Sequence, residues 1–140
     1  MKLSAKTKYA ARILLCMAKQ GNLVPVSSSW LSAKTEISAQ FIEQILRQLR
    51  IAGITDSVRG ARGGHILVQK PQDVTFGTIL KAMEGGIELS NCLDCPDSCD
   101  RCRKCAMHNV WGELQQSLYN ALEAITLDDV LRKSSPDMRC

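Results

Sequence analysis

The 140-residue chain suits one domain, or a small domain with an appended arm, and its 45% hydrophobic residues can fill a core although aromatics are only 4%. No stretch approaches membrane-spanning length, and the N-terminal M-K-L-S-A-K-T-K-Y has no apolar run of the signal-peptide kind, so a cytoplasmic protein without a membrane partner is expected. The net charge of +4 hides an asymmetry: residues 1–70 carry 11 Lys/Arg against 3 Asp/Glu, residues 71–140 carry 7 against 11, and only the first half is suited to a polyanion partner.

Ser4 can cap a first helix over 5–19, with Ala10, Ile13, Leu14 and Met17 on its apolar face and Gly21 as its stop. Cys16 falls within that pattern and reads as packing. After Pro25, Ser27 or Ser28 starts a short second helix carrying Trp30 and Leu31, and residues 34–36 read as a turn. Ser38 caps a third helix over 39–52, with Phe41, Ile42, Ile45, Leu46 and Leu49 as its buried stripe; Gln40, Glu43, Gln44 and Arg47 fall mostly on the opposite face. A short helix, a tight turn and a longer helix with a polar outer face follow the plan of a helix-turn-helix.

Two alternating runs, 54–59 and 65–69, read as strands around R-G-A-R-G-G, a basic hairpin tip of the kind a winged helix uses. The tip is no phosphate-cradling loop, because the G-K-S/T ending is missing. A helix follows over 75–83 with Phe76, Ile79, Leu80 and Met83 on one face, then an apolar link at 87–89. Helix 106–124 shows Trp111, Leu114, Leu118, Leu122 and Ile125 at spacings of 3, 4, 4 and 3, a narrow seam of the kind that pairs helices. Thr126 with Asp129 makes a capping arrangement for a last helix to Arg132, and the tail from Ser134 has little to pack.

Between these helices lies N-C-L-D-C-P-D-S-C-D-R-C-R-K-C-A-M-H, residues 91–108, with five of the seven cysteines and a closing histidine. Thiolates packed so densely repel one another unless a positive centre holds them, and soft sulfur with imidazole is the ligand set of a metal ion or an iron–sulfur cluster. An inert helical stripe of cysteines is disfavoured by Pro96 and by the turn formers Asp94, Asp97, Ser98 and Asp100. Disulfides are disfavoured by the expected reducing compartment and by the odd cysteine count.

The stretches L-S-A-K-T-K-Y-A, I-S-A-Q-F-I-E-Q-I-L-R-Q-L-R-I-A-G-I, S-V-R-G-A-R-G-G-H-I-L and I-T-L-D-D-V resemble the winged-helix Rrf-two family of bacterial transcription regulators, the iron–sulfur assembly and nitric-oxide-sensing type. The resemblance covers nearly the whole chain and implies a mainly α fold with a small β wing. It implies a winged helix-turn-helix over 1–70. Residues 71–140 would hold a linker helix, a cluster loop (91–108) and a dimerisation helix (106–125) of a homodimer on double-stranded operator DNA. The family places cluster ligands on widely spaced cysteines followed by C-x-x-H, which points to Cys92, Cys99, Cys105 and His108. Cys105 and His108, three apart at a helix start, can face one site. Cys95 and Cys102 are the alternates. An imidazole ligand suits a two-iron two-sulfur cluster; four cysteines allow a four-iron four-sulfur cluster.

Two departures stand out. Lys8 occupies the neighbourhood where some nitric-oxide sensors of the family place an Asp ligand, and the segment holds five cysteines where three are usual. His65 stands where the family often has Tyr in the wing, and reads as a packed strand histidine.

On this reading helix 39–52 enters the major groove with Gln40, Glu43 and Gln44 near base edges. Ser38, Lys6, Lys8 and Arg47 approach phosphates, and Arg59, helped by Arg62, reaches the minor groove from the wing. The expected function is a DNA-binding transcription regulator controlled by a cysteine-ligated cluster that senses iron or cluster status, redox state or nitric oxide. A winged-helix regulator with a zinc or thiol-redox site is the alternative, and a small electron carrier a more distant one. No nucleophile–base pair is readable, so neither an enzyme nor a small-molecule substrate is expected.

Overall fold

The computed structural model describes residues 3–94 and 99–134. Helix α1 (Ala5–Gln20) starts where the Ser4 side chain accepts from the Thr7 N–H. It ends at Gly21, whose φ of 114° only glycine adopts without strain. Helix α2 (Ser28–Thr35) is capped by Ser27 and α3 (Ala39–Ile51) by Ser38. The turn between them is shorter than the 34–36 pattern predicts. Thr35 stays helical, its hydroxyl donating to the Leu31 carbonyl at 2.7 Å, and only Glu36 turns left-handed at φ 59°.

The wing is an antiparallel hairpin of β1 (Thr55–Val58) and β2 (Gly64–Leu67), in register from Thr55 opposite Leu67 to Val58 opposite Gly64. It is shorter than the alternating runs because the Ile54 N–H is claimed by the Leu49 carbonyl at 3.0 Å, closing α3 rather than opening the strand. Val26, beside Pro25, exchanges both backbone hydrogen bonds with His65 (2.9 and 2.8 Å), which anchors the hairpin to the α1–α2 connection.

Helix α4 (Phe76–Glu84) follows its Thr75 cap. The cysteine segment is not all turn: it contains a one-turn helix α5 (Asn91–Asp94) and a 3-10 turn at Cys102–Lys104. Helix α6 spans Ala106–Glu123. Helix α7 (Leu127–Lys133) opens on a complete capping box between Thr126 and Asp129.

One core joins these pieces. Ile13, Leu14 and Met17 of α1 meet Leu31, then Ile42, Ile45, Leu46 and Leu49 of α3, Leu67 of the wing, Ile79 of α4 and Leu127 of α7. Cys16 lies in the same cluster. Phe41 is only partly buried, and it stands edge-on to Tyr9, with ring centroids 5.8 Å apart. The chain entry to α1 is tied to α4, since Glu84 accepts from the Ser4 N–H at 3.1 Å and from the Thr7 hydroxyl.

Helix α6 differs from the rest: none of its 18 residues is buried. It is held by polar contacts along one side, Tyr119 accepting from the Ile87 N–H at 2.8 Å and Gln115 from the Leu89 N–H at 3.1 Å. Met107, Val110, Trp111 and Leu114 stay exposed, and Leu118 and Leu122 half-buried. Among the described residues no helix is long and apolar enough to cross a membrane.

Candidate nucleic-acid interface and cysteine site

The outer face of α3 presents Gln40, Glu43, Gln44 and Arg47, all exposed. Ser38 is exposed too, but its hydroxyl is occupied as the cap, accepting from the Phe41 N–H at 3.4 Å. Lys6, on the first turn of α1, lines one surface groove with Gln44, Arg47 and Gln48, so α1 and α3 pool positive charge on one side. Lys8 is exposed on the same helix.

Glu43 is not a free carboxylate. It accepts from the Ser28 hydroxyl at the start of α2 and lies 3.1 Å from His65 Nε2 on β2, while Ser28 Oγ lies 3.3 Å from the same nitrogen. The Ser28 hydrogen bond holds the Glu43 carboxyl below the usual carboxylate range; burial opposes it as the next largest influence, and His65 and the nearby Arg47 charge add smaller lowering effects. Sequence reasoning missed this cluster. The strand period was the available signal: His65 and Leu67 share a face, and Leu67 is wholly buried.

The wing tip, 59–63, is closed by the Gly63 N–H donating to the Gly60 carbonyl at 3.0 Å, and both Arg59 and Arg62 are exposed. Arg62 lines a surface depression with Gln20, Trp30 and Val26.

In the cysteine segment the described residues Cys92, Cys99 and Cys105 are free thiols. Cys95 lies outside the described residues. Cys99 and Cys105 are exposed, and Cys92 is half-buried with its sulfur 3.1 Å from Ser90 Oγ. Cys102 is only 7% exposed. Its sulfur lies 3.3 Å from His108 Nδ1 and donates to the Cys92 carbonyl at 3.5 Å. The imidazole of His108, on the first turn of α6, thus meets Cys102 rather than Cys105, although Cys105 and His108 stand three apart. Among the described residues no three of His, Cys, Asp and Glu converge on one point.

Three packed helices with a polar-faced third helix, followed by an antiparallel hairpin, define a winged helix-turn-helix module. Comparison with known proteins agrees. The chain belongs to the Rrf2 family, described as an iron-dependent transcriptional regulator, which matches residues 3–133. It is 33% identical over 138 residues to Protein rrf2 of Nitratidesulfovibrio vulgaris, covering 96% of this chain and 90% of that one. It is similar to T. potens IscR at a TM-score of 0.76 and 28% identity, covering 100% of this chain and 93% of that one. It is also similar to CymR, the global cysteine regulator of B. subtilis, at a TM-score of 0.74 and 25% identity, covering 96% and 99%. The protein is a transcriptional regulator and not an enzyme.

Proposed function

We propose that this regulator binds double-stranded operator DNA as a cytoplasmic homodimer, with its DNA binding set by an iron–sulfur cluster in the 91–108 segment. The observation that carries the reading is a thiol–imidazole pair, Cys102 and His108, at the root of α6, the one long helix with no buried residue. A centre ligated there fixes the first turn of the helix whose open apolar stripe would join two subunits, and so the spacing of two winged helices on DNA.

Five thiols and an imidazole fit the group: soft sulfur and borderline nitrogen are what iron–sulfur centres take. The ligands come from Cys92, Cys99, Cys105 and His108, with Cys95 and Cys102 as alternates, and the cluster is of the two-iron type. When bound, the cluster supplies a centre that responds to iron supply, oxidants or nitric oxide. Arg101 and Lys104 offset thiolate charge around it. On the DNA side, Gln40 and Gln44 face base edges, Lys6, Lys8, Ser38 and Arg47 the phosphates, and Arg59 with Arg62 the minor groove.

The test is operator titration, at fixed salt, of protein loaded without oxygen and of the same protein after chelation, with iron and sulfide counted per chain. Affinities that differ by about tenfold or more are expected from a coupling of ordinary size. Equal affinities in a protein that holds iron and sulfide would defeat the proposal.

A second reading is a thiol switch without iron. The exposed free thiols Cys99 and Cys105 favour it, as does the likeness to a cysteine regulator. Iron-free protein whose operator affinity falls on mild oxidation and returns with reductant would select this reading.

A further inference from the structure

We propose that Cys102, rather than either exposed thiol beside it, shares one metal atom with His108. This rests on the metal-centre reading above and puts Cys102, an alternate there, in the place of one of the two exposed thiols. Metal–sulfur and metal–nitrogen bonds of about 2.3 and 2.0 Å at a tetrahedral centre hold the two ligand atoms about 3.5 Å apart. Cys102 Sγ and His108 Nδ1 already stand 3.3 Å apart, so a metal atom enters between them with little movement of either side chain.

Three further features single out Cys102. It is the buried thiol of the described four, so its rotamer is restricted before metal arrives and less freedom is lost on ligation. Its sulfur also points at the Cys92 carbonyl, 3.5 Å away, which brings α5 to the same place. The 3-10 turn that carries it leads straight into α6: the N–H of Cys105, the residue before that helix, donates to the Cys102 carbonyl at 3.5 Å. Cys99 and Cys105 are exposed, and each would have to swing inward to reach the imidazole.

The pairing also selects the cluster. In a four-iron cluster with four protein ligands each iron takes one, so Cys102 and His108 would have to separate. In a two-iron cluster each iron takes two protein ligands, the arrangement in which imidazole is known to replace thiolate. Cys102 with His108 on one iron leaves the other for Cys92 and one exposed thiol.

The experiment compares Cys102→Ser, Cys102→Ala, Cys99→Ser and Cys105→Ser with the wild-type chain. Iron, sulfide, visible absorption and the paramagnetic resonance of the reduced protein are recorded without oxygen. In parallel, cobalt(II) is titrated into metal-free protein, where the thiolate charge-transfer bands report ligation without any cluster. Both Cys102 variants are expected to lose the cluster signal and to bind cobalt more than about tenfold more weakly, since even partners one shell further out cost 10–100-fold. A Cys102→Ser protein with wild-type iron, sulfide, resonance and cobalt affinity would overturn the assignment.

If the wild-type chain assembles no cluster yet loses cobalt affinity on Cys102 substitution, the cluster reading fails and the ligand pair stands. A measurement on the wild-type chain guards against variants that do not fold. Cobalt must shift the Cβ resonances of Cys102 and the ring resonances of His108 together. Shifts at Cys99 or Cys105 with His108, and none at Cys102, would overturn the proposal without any substitution.

Discussion

His65 of the wing and Glu43 of the recognition helix are joined at 3.1 Å, and Ser28 closes the cluster from α2. The three elements of the proposed DNA-facing surface therefore meet at one carboxylate. While it is held there, Glu43 offers cytosine N4 less than a free side chain would, and base reading falls chiefly to Gln40 and Gln44. Replacing His65 by Ala should loosen the wing against α3. The stability cost should stay near or below about 1 kcal/mol, because the Glu43 side chain is 54% exposed and solvent screens the pair. Faster amide exchange in β2 and an altered base preference at the operator are the expected readouts. An unchanged exchange rate and unchanged preference would show that the contact is incidental.

The same cluster predicts a pH dependence with a definite sign. Glu43 is held below the usual carboxylate range chiefly by Ser28, and Glu84 chiefly by Thr7 with help from Ser4. A carboxyl lowered in the folded state stabilises the fold fully above its unfolded value and loses that contribution as pH falls through the lower, folded value. Glu43→Gln and Glu84→Gln should therefore be less stable than wild type near neutral pH, by a margin that narrows under acid conditions. Thermal midpoints across a pH series check it. A margin that widens on acidification would reverse the sign and refute the assignment.

Arg59 stands exposed at the wing tip, with no hydrogen-bond partner assigned among the described residues, as a minor-groove side chain should. Arg59→Ala is expected to cost roughly 1–3 kcal/mol of operator binding, the range for a specific contact, while the fold is unaffected. Operator titration beside a thermal melt decides it. An unchanged affinity with an unchanged melt would remove the wing from the interface.

The local features of this fold were legible because their causes are local. Ser4 and Ser38 are read as caps and act as caps, and the Thr126–Asp129 box forms both of its bonds. The periodic stripe of α3 is buried where its spacing places it, except for Phe41, which is only partly buried. What stayed hidden joins residues distant in the chain or breaks a local rule. The Val26–His65 pairing depends on a residue beside a proline docking against the wing, and no strand period marks it. The Ser28–Glu43–His65 cluster spans three elements. In the cysteine segment, spacing alone ties His108 to Cys105, whereas the 3-10 turn brings Cys102 to it instead. A short turn that rotates a side chain by one position is beyond what spacing encodes.

The docking of Val26 gives Gly64 its meaning. Its φ is 154°, and an added Cβ would lie 2.6 Å from the Val26 carbonyl oxygen and 2.8 Å from its carbonyl carbon. Neither chain can retreat without breaking the paired Val26–His65 hydrogen bonds. Gly64→Ala should destabilise the protein by about 1–3 kcal/mol, the cost of a strained backbone position, and should weaken operator binding by misplacing the wing. Gly60→Ala makes the control: it also has positive φ, but nothing lies within 4 Å of its added Cβ. Equal melting points for the two variants would mean that the close approach to Val26 does not constrain the wing.

The last prediction concerns α6. Met107, Val110, Trp111 and Leu114 recur on one face at helical spacing and are 46%, 41%, 38% and 46% exposed. A stripe of large apolar groups on a helix with no fully buried residue is costly in water unless something covers it, and the partner that fits its length is the same stripe of a second copy. Polar contacts through Tyr119 and Gln115 already hold α6 to its own chain, so the apolar face is left for that second copy. Fully burying a Leu stabilises by about 1.5–3 kcal/mol, and a charge in its place opposes association further. Leu114→Glu should therefore weaken the dimer by more than about tenfold, leave the helical content of the monomer unchanged, and reduce operator affinity through loss of the second winged helix. Sedimentation at micromolar concentration provides the check. Wild-type protein that sediments only as a monomer with its metal centre loaded would defeat the dimer, and a Leu114→Glu protein that remains dimeric would move the seam to another face.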